Sequence, residues 1–284
     1  MKSFDEFLSH ACGKLTDWAI TIPFAKILVS FLAKVYQDTL LAQIIKRTDS
    51  AIEEYARRNK RKDRPDVIDE LIKKKKLHNK KLHYEGRISR NMVIGNALAL
   101  LAAGYDTTSI ALTYNLWALA KHNEIQDTLR TEVMANGIDS SYLEQVIRET
   151  MRLYPTVIIF VSRIASEDVR YDNLVIPEGT TVVYNAYLVN RDPEIWPDPM
   201  RFDPERFRPG NNIHPCAFAP FGFGKRRCVG YHLAMLEMKM LLCAIITRYK
   251  VRLISPVEID LVRHAEFLSY PSERVILGFE SVTC

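Results

Sequence analysis

The chain has 284 residues, 48% of them hydrophobic and 26% charged, which is enough apolar material for one domain, or two small ones, with a sizeable core, and excludes a disordered, collagenous or low-complexity chain. The formal net charge of +5 is unevenly spread: 16 basic and 8 acidic residues fall between positions 46 and 90, so the remainder is slightly acidic. Five widely spaced cysteines (Cys12, Cys216, Cys228, Cys243, Cys284) exclude a disulfide framework and a Cys-x-x-Cys zinc site, and they fit a reducing cytosolic setting.

The first residues mix Lys2, Asp5, Glu6 and His10 with apolar positions, so no secretory signal opens the chain. The longest apolar stretch, 19–36, is interrupted by Pro23, Lys26 and Lys34. That excludes a membrane span, which needs about 20 mostly apolar residues, and leaves a core helix or an amphipathic helix lying on a bilayer. Helical periodicity covers 39–58, and Pro65 starts a short helix through Asp66, Ile68 and Leu71. The lysines at 73–76 and 80–81 form a solvated connection rather than a nucleic-acid surface, since no aromatics are interleaved and acids sit among the bases.

From about 89 to 122 there is no proline and apolar residues such as Val93, Ala97, Leu100 and Leu101 recur. The pattern predicts one long helix, apolar almost all round and buried through its middle. Gly104-Tyr105-Asp106-Thr107-Thr108 is a polar interruption in it, made largely of poor helix formers, and needs a reason. Ser141-Tyr142-Leu143-Glu144 is a capping-box pattern for the next helix, which ends before Pro155 and carries Glu149 and Arg152 on one face. Short strands are predicted at 157–161, 169–176 and 180–187, with Pro177-Glu178-Gly179 as a turn. Seven prolines make 190–220 a loop, a last helix runs from about 230 to 249, and 273–282 is a terminal strand. The class is α+β, mainly α.

The chemistry concentrates in Phe221-Gly222-Phe223-Gly224-Lys225-Arg226-Arg227-Cys228-Val229-Gly230, which leads directly into the last helix. A cysteine beside a helix N-terminus and three cations is placed where a thiolate is favoured, and the glycines let the backbone pass close to something flat or bulky. A nucleophilic cysteine is one reading, although no histidine stands at a recognisable spacing. A P-loop is excluded, because Lys225 is followed by Arg and the glycine spacing is wrong. An axial thiolate ligand to haem iron accounts for more of the segment.

These residues resemble the cytochrome P450 family of haem-thiolate monooxygenases. Phe221, Gly224, Arg226, Cys228 and Gly230 match its Phe-x-x-Gly-x-Arg-x-Cys-x-Gly signature, and Ala103-Gly104-Tyr105-Asp106-Thr107-Thr108 its oxygen-activating groove. Glu149-Thr150-Met151-Arg152 matches Glu-x-x-Arg, and Pro204-Glu205-Arg206-Phe207 matches Pro-Glu-Arg-Phe. All four stand in the family's order. The resemblance implies the C-terminal part of that fold, with a long central helix, a haem-ligand loop and small β-sheets. It also implies haem b (iron protoporphyrin IX) as cofactor, with Cys228 ligating the iron, Phe221, Gly224 and Gly230 shaping its loop, and Arg226 and Arg163 pairing with the propionates. By the same resemblance Gly104 opens room for dioxygen, while Asp106 and Thr107 relay protons through water. Glu149, Arg152 and Arg206 correspond to a buried ion network that supports the fold and performs no chemistry. Leu98, Leu101, Ala102, Ile158, Ile159, Phe160, Phe267 and Leu268 correspond to substrate-facing positions and suit a lipophilic small molecule.

Electrons are expected from an NADPH-dependent flavoprotein reductase docking near Lys225, Arg226 and Arg227, since the chain carries no flavin or nicotinamide fingerprint. The likeness leans toward animal microsomal members on the cytosolic face of the endoplasmic reticulum membrane, where 19–36 would meet the membrane surface. No nucleic-acid partner is expected. The match begins well inside the family's fold. Residues 1–284 are therefore expected to be one partial oxygenase domain, from a truncated gene model or splice form, without the N-terminal anchor, first sheet, early helices and Trp-x-x-x-Arg helix. Asn190 stands where the family often has His. The alternatives are a haem-thiolate isomerase or dehydratase, which the Asp106-Thr107 pair disfavours, and a non-catalytic truncated chain.

Overall fold

The computed structural model describes residues 90–159, 162–254 and 268–282, together with Arg47, Thr48, Ser50, Ala51 and Glu54, which are helical. The stretch 19–36, the rest of 39–58, the helix after Pro65, the lysine runs, Phe160 and Phe267 lie outside the described residues. The chain divides into two compact units, 1–103 and 104–284.

Helix α1, Arg90–Lys121, crosses that boundary without a break, so the polar insertion does not interrupt the helix. The hydroxyl groups beside it turn back on the helix's own carbonyls: Ser109 Oγ donates to Asp106 O at 2.9 Å and Thr113 Oγ1 to Ser109 O at 2.8 Å. The expectation of burial through the middle is corrected. Leu101 is 66% exposed, and Leu100 and Tyr105 are also exposed, whereas Ile110, Ala111, Tyr114, Trp117, Ala118 and Leu119 are buried. An apolar surface all round permits burial anywhere along the helix: Val93 and Ile94 near its start are buried as well, while the turns from Ile110 on join the described core cluster.

Helix α2, Asn123–Asn136, has no counterpart in the sequence reading; it buries Gln126, Leu129 and Val133 and ends at Gly137, whose φ of 59° favours glycine. Helix α3, Ser141–Leu153, is capped by Ser140 rather than Ser141, the Ser140 side chain accepting the Leu143 N–H at 3.3 Å. The cap therefore sits one residue earlier, and Glu144 is free to pair with Lys239 at 2.7 Å.

The described residues form three two-stranded antiparallel sheets. Strand β1, Ser162–Ile164, pairs with β4, Thr181–Val183, placing Arg163 opposite Val182. Strands β2, Val169–Tyr171, and β3, Leu174–Ile176, make a hairpin out of the single strand expected at 169–176. Strand β5, Tyr249–Leu253, pairs with β6, Leu277–Ser281, a shorter strand than 273–282. The described part of 157–161 contributes one antiparallel bridge, Val157 to Leu268. The strand expected over 180–187 stops at Val183, because Asn185 Oδ1 accepts the Leu188 N–H at 3.1 Å and caps a helical turn, α4, Ala186–Val189. The last helix, α5, is Tyr231–Ile246.

The core of the second unit joins the end of α1 to α2, α3, α5 and β5. Tyr154 stacks on Tyr114 at 5.4 Å and meets Trp117 edge-on at 5.1 Å. Burial pushes the Tyr114 hydroxyl's pKa upward, against a hydrogen bond from Ser269. One polar pin crosses this core: Gln126 Nε2 donates to Leu119 O and Val251 O, both at 2.9 Å, and its Oε1 accepts the Val251 N–H at 2.8 Å. Gln126→Leu, of similar volume, leaves those backbone groups unpaired. Urea unfolding of the variant should show a loss of at least about 2 kcal/mol, since each orphaned buried group costs about 1–3 kcal/mol; an unchanged midpoint would refute the pin.

Candidate functional site

The loop before α5 folds around two glycines. Gly222 (φ 74°) and Gly224 (φ 60°) hold left-handed backbone that lets the chain reverse, and Gly224 begins a 3-10 turn ending at Arg226. The Cys228 N–H donates to Phe221 O at 2.8 Å and the Arg227 N–H to Gly224 O at 3.1 Å, which closes the loop on itself. Cys228 stands two residues before Gly230, the N-cap of α5, with a free and exposed thiol. A Cβ at Gly230 would sit 3.8 Å from the Cys228 sulfur, so glycine leaves that side of the sulfur bare. Phe221 and the Arg227 guanidinium both rest on the Tyr231 ring, at 4.8 and 3.9 Å, fixing the loop to the first turn of α5.

A cavity of about 290 Å³ opens beside this loop, lined by Arg163, Phe223, Gly224, Lys225 and Arg226. Arg163 reaches it from β1 and donates to Phe223 O at 3.2 Å and Ser162 O at 2.6 Å. Two guanidinium groups and an ammonium on one cavity suit carboxylates, and the exposed soft sulfur of Cys228, two residues beyond Arg226 and not itself in the lining, suits iron. The residue types present are compatible with haem: a cysteine thiol could serve iron, and the guanidinium groups of Arg163 and Arg226 suit carboxylates.

Asp106 and Thr107 are half-buried on α1, Thr108 is buried, and the position a Gly104 Cβ would take is open for 4 Å. Among the substrate-facing candidates, Leu98 and Ala102 are half-buried and Leu101 exposed, all in the N-terminal unit. In the second unit Ile158 is half-buried and its carbonyl accepts the Ala186 N–H at 2.9 Å, Ile159 is 45% exposed, and the Val157 bridge brings this segment alongside the half-buried Leu268. The sequence reading missed Phe223 and Lys225 as lining residues. Phe223 also carries the carbonyl that receives Arg163, 60 residues away in sequence, and its ring meets Tyr184 edge-on at 5.2 Å. No local pattern reports a pairing that distant.

The ion network joins Glu149 to Arg152 by hydrogen bonds and to Arg206 by charge alone. Arg152 grips Glu149 with two hydrogen bonds, Nε to Oε2 at 2.7 Å and Nη2 to Oε1 at 2.8 Å, and both side chains are completely buried. Its other donors go to Asn190 O (2.7 Å), Pro199 O (2.8 Å) and Arg201 O (3.2 Å). Arg206 Nε stands 3.5 Å from Glu149 Oε1, its two ends donate to Pro197 O and Asp198 O, and the Asp203 N–H donates to Glu149 Oε1 at 2.8 Å. Burial pushes the Glu149 carboxyl's pKa up, while Arg152, the Asp203 N–H and Arg206 pull it back. Asn190 proves integral here, because its side-chain amide returns a bond to Arg152 O at 3.0 Å.

A family model described as Cytochrome P450 matches residues 2–279. Cytochrome P450 3A13 of Mus musculus is 31% identical over 233 residues, covering 78% of this chain and 46% of that protein. Cytochrome P450 3A41 of Mus musculus is 29% identical over 96% of this chain and 58% of its own length. The 25-hydroxyvitamin D-1 alpha hydroxylase, mitochondrial, of Mus musculus is 39% identical over 59% of this chain and 36% of its own length. The chain thus spans about half the length of the curated relatives it matches.

Removing Arg152 alone should strand Glu149 as a buried charge. Arg152→Met is expected to lower stability by about 3–5 kcal/mol in urea unfolding followed by circular dichroism. A loss under about 1 kcal/mol would show that the network is not a support of the fold.

Proposed function

The chain belongs to the cytochrome P450 family, and from that premise we propose that residues 1–284 are one partial haem-thiolate oxygenase domain, of a protein that inserts an oxygen atom from O2 into a lipophilic substrate. The observation that carries this reading is the free, exposed Cys228 sulfur on a loop closed by its own N–H to Phe221 O, beside a cavity lined by Arg163 and Arg226. Haem, when bound, supplies the activation of dioxygen and the oxidising power.

The chain's own residues hold, orient and protonate. Cys228 would hold the iron through its thiolate, and the loop glycines would keep bulky side chains away from the bound group. Arg163 and Arg226 would hold the carboxylates of the bound group and so set its orientation. Thr107 Oγ1 and the Asp106 carboxylate would hand protons through water to dioxygen, with Gly104 leaving space on the same helix. Ile158, Ile159 and Leu268 supply apolar surface to the substrate, so burial rather than hydrogen bonding selects it. The 39% identity to a relative named as a hydroxylase of a lipophilic vitamin supports that substrate class. Electrons reach the domain from an NADPH-dependent flavoprotein reductase, whose acidic face meets the exposed Lys225, Arg226 and Arg227. Among the described residues no helix is long and apolar enough to cross a membrane, which is compatible with peripheral association with the endoplasmic reticulum.

The deciding measurement is a ferrous carbon monoxide difference spectrum of the haem-loaded chain. A red-shifted, thiolate-type Soret band that disappears in Cys228→Ala is expected, and a band insensitive to that substitution would sink the assignment. In turnover with reductase, Thr107→Ala is expected to divert reducing equivalents to hydrogen peroxide and lower product per NADPH, since a positioned proton donor contributes about 10²–10⁴-fold to the step it serves. Unchanged coupling would remove Thr107 from the relay.

A further inference from the structure

Helix α3 presents one more arginine, Arg148, next to the ion network and outside it. Its guanidinium carbon lies 4.8 Å from the centre of the Phe207 ring and 5.6 Å from that of Phe218, and the two rings are themselves 4.8 Å apart at 52°. Arg148 is half-buried and pairs with no carboxylate among the described residues, so its charge is met by ring faces. Both rings sit where the fold must be fixed: Phe207 closes the 3-10 turn Pro204–Phe207 that carries Arg206, and Phe218 lies three residues before Phe221, whose carbonyl holds the Cys228 N–H. Phe207 continues into Trp196 at 5.7 Å, and the Arg152 guanidinium covers that indole at 5.2 Å. Successive turns of one helix thus clamp one aromatic cluster with two cations.

We propose that Arg148 is a positioning residue for the cysteine loop, acting through Phe218: its guanidinium holds the 217–221 strap so that the Phe221 carbonyl stays in place to receive the Cys228 N–H. The strap needs such a hold from outside. It belongs to no helix or strand, it is held by the buried Ala217 in the Trp196–Phe207 cluster, the Phe218 ring and the Tyr184 hydroxyl on Ala217 O at 3.3 Å, and the chain reverses immediately after it at Gly222. A lysine in place of Arg148 would keep the charge but lose the flat surface that lies on two rings at once. The consequence for iron ligation rests on the reading of Cys228 given above. The geometric claim does not.

The test is amide hydrogen exchange at Cys228 in the full chain without haem, for Arg148→Met, Arg148→Lys, Phe218→Leu and the double variant Arg148→Met/Phe218→Leu. Arg148→Met and Phe218→Leu should each speed exchange of the Cys228 amide about tenfold, the double variant no more than either alone, and Arg148→Lys by clearly less, while the Leu129 and Val133 amides of α2 keep their rates. The proposal is overturned if Cys228 exchange is unchanged in both single variants, if their effects multiply in the double variant, or if the α2 amides accelerate equally, which would mark general destabilisation. In the haem-loaded chain the carbon monoxide band of Arg148→Met should divide between thiolate and non-thiolate positions. A chain that shows the exchange effect and never yields a thiolate band would overturn the haem reading and leave the role of Arg148 standing.

Discussion

The fold around the cysteine loop depends on one buried charge cluster, the Glu149 carboxylate held between Arg152 and Arg206. A guanidinium has five N–H donors, and the structure meets each one of Arg152: two on Glu149 and one each on the carbonyls of Asn190, Pro199 and Arg201. A fully buried cation is tolerable only under that condition, because every unpaired donor in a dry interior carries a desolvation cost. The rest of the arrangement follows from it. The segment 190–208 is rich in proline and cannot bond its own backbone in a regular ladder, so its carbonyls need donors from elsewhere. Arg152 and Arg206 provide them and thereby give a non-repetitive segment a single shape.

That division of labour explains why the functional and structural residues differ so sharply in burial. Glu149 and Arg152 are wholly buried, whereas Cys228, Arg226 and Arg163 are exposed. A loop with two left-handed glycines has little stiffness of its own. Rigidity is therefore supplied from behind, by α3 through the ion cluster and the aromatic group of Trp196, Phe207 and Phe218, and from the side by Arg163 on Phe223 O. Open chemistry and a closed scaffold are adjacent layers of the same region.

What the sequence disclosed was local. The three-residue spacing of Glu149 and Arg152, the cysteine loop and the bounds of α1 and α3 all depend on neighbours within a few positions, and the structure keeps them. The strands at 157–161, 169–176 and 180–187 were overdrawn because a strand's length is set by its partner: β1 finds β4 for only three residues, and 169–176 finds itself across a turn at Asp172. Helix α2 escaped notice because its polar face dominates its composition and its buried side is narrow, with Gln126 in the core where an apolar residue would have given a signal. The burial of α1 was misplaced for a related reason, since a helix apolar on every side does not say which turns will be covered. The separate partners of Arg163 and the role of Asn190 lie beyond any window, because they join positions 60 and 38 residues apart.

Exposed apolar side chains on α5 complete the picture of how the site is supported. Leu233, Leu236 and Met240 follow one helical face, with Val229 just before the helix, whereas Met235, Met238, Leu242 and Ile246 face the core. The helix that begins beside the cysteine is thus apolar on both sides and anchored on only one. Anchoring on the core side is sufficient for the geometry at Cys228, because the first turn of α5 is tied to the loop through Tyr231, which bears both Phe221 and Arg227. Any displacement of α5 along its axis would carry the cysteine loop with it. The packing of Met238, Leu242 and Ile246 against the end of α1 and β5 is therefore as much a determinant of where the sulfur points as the loop residues are.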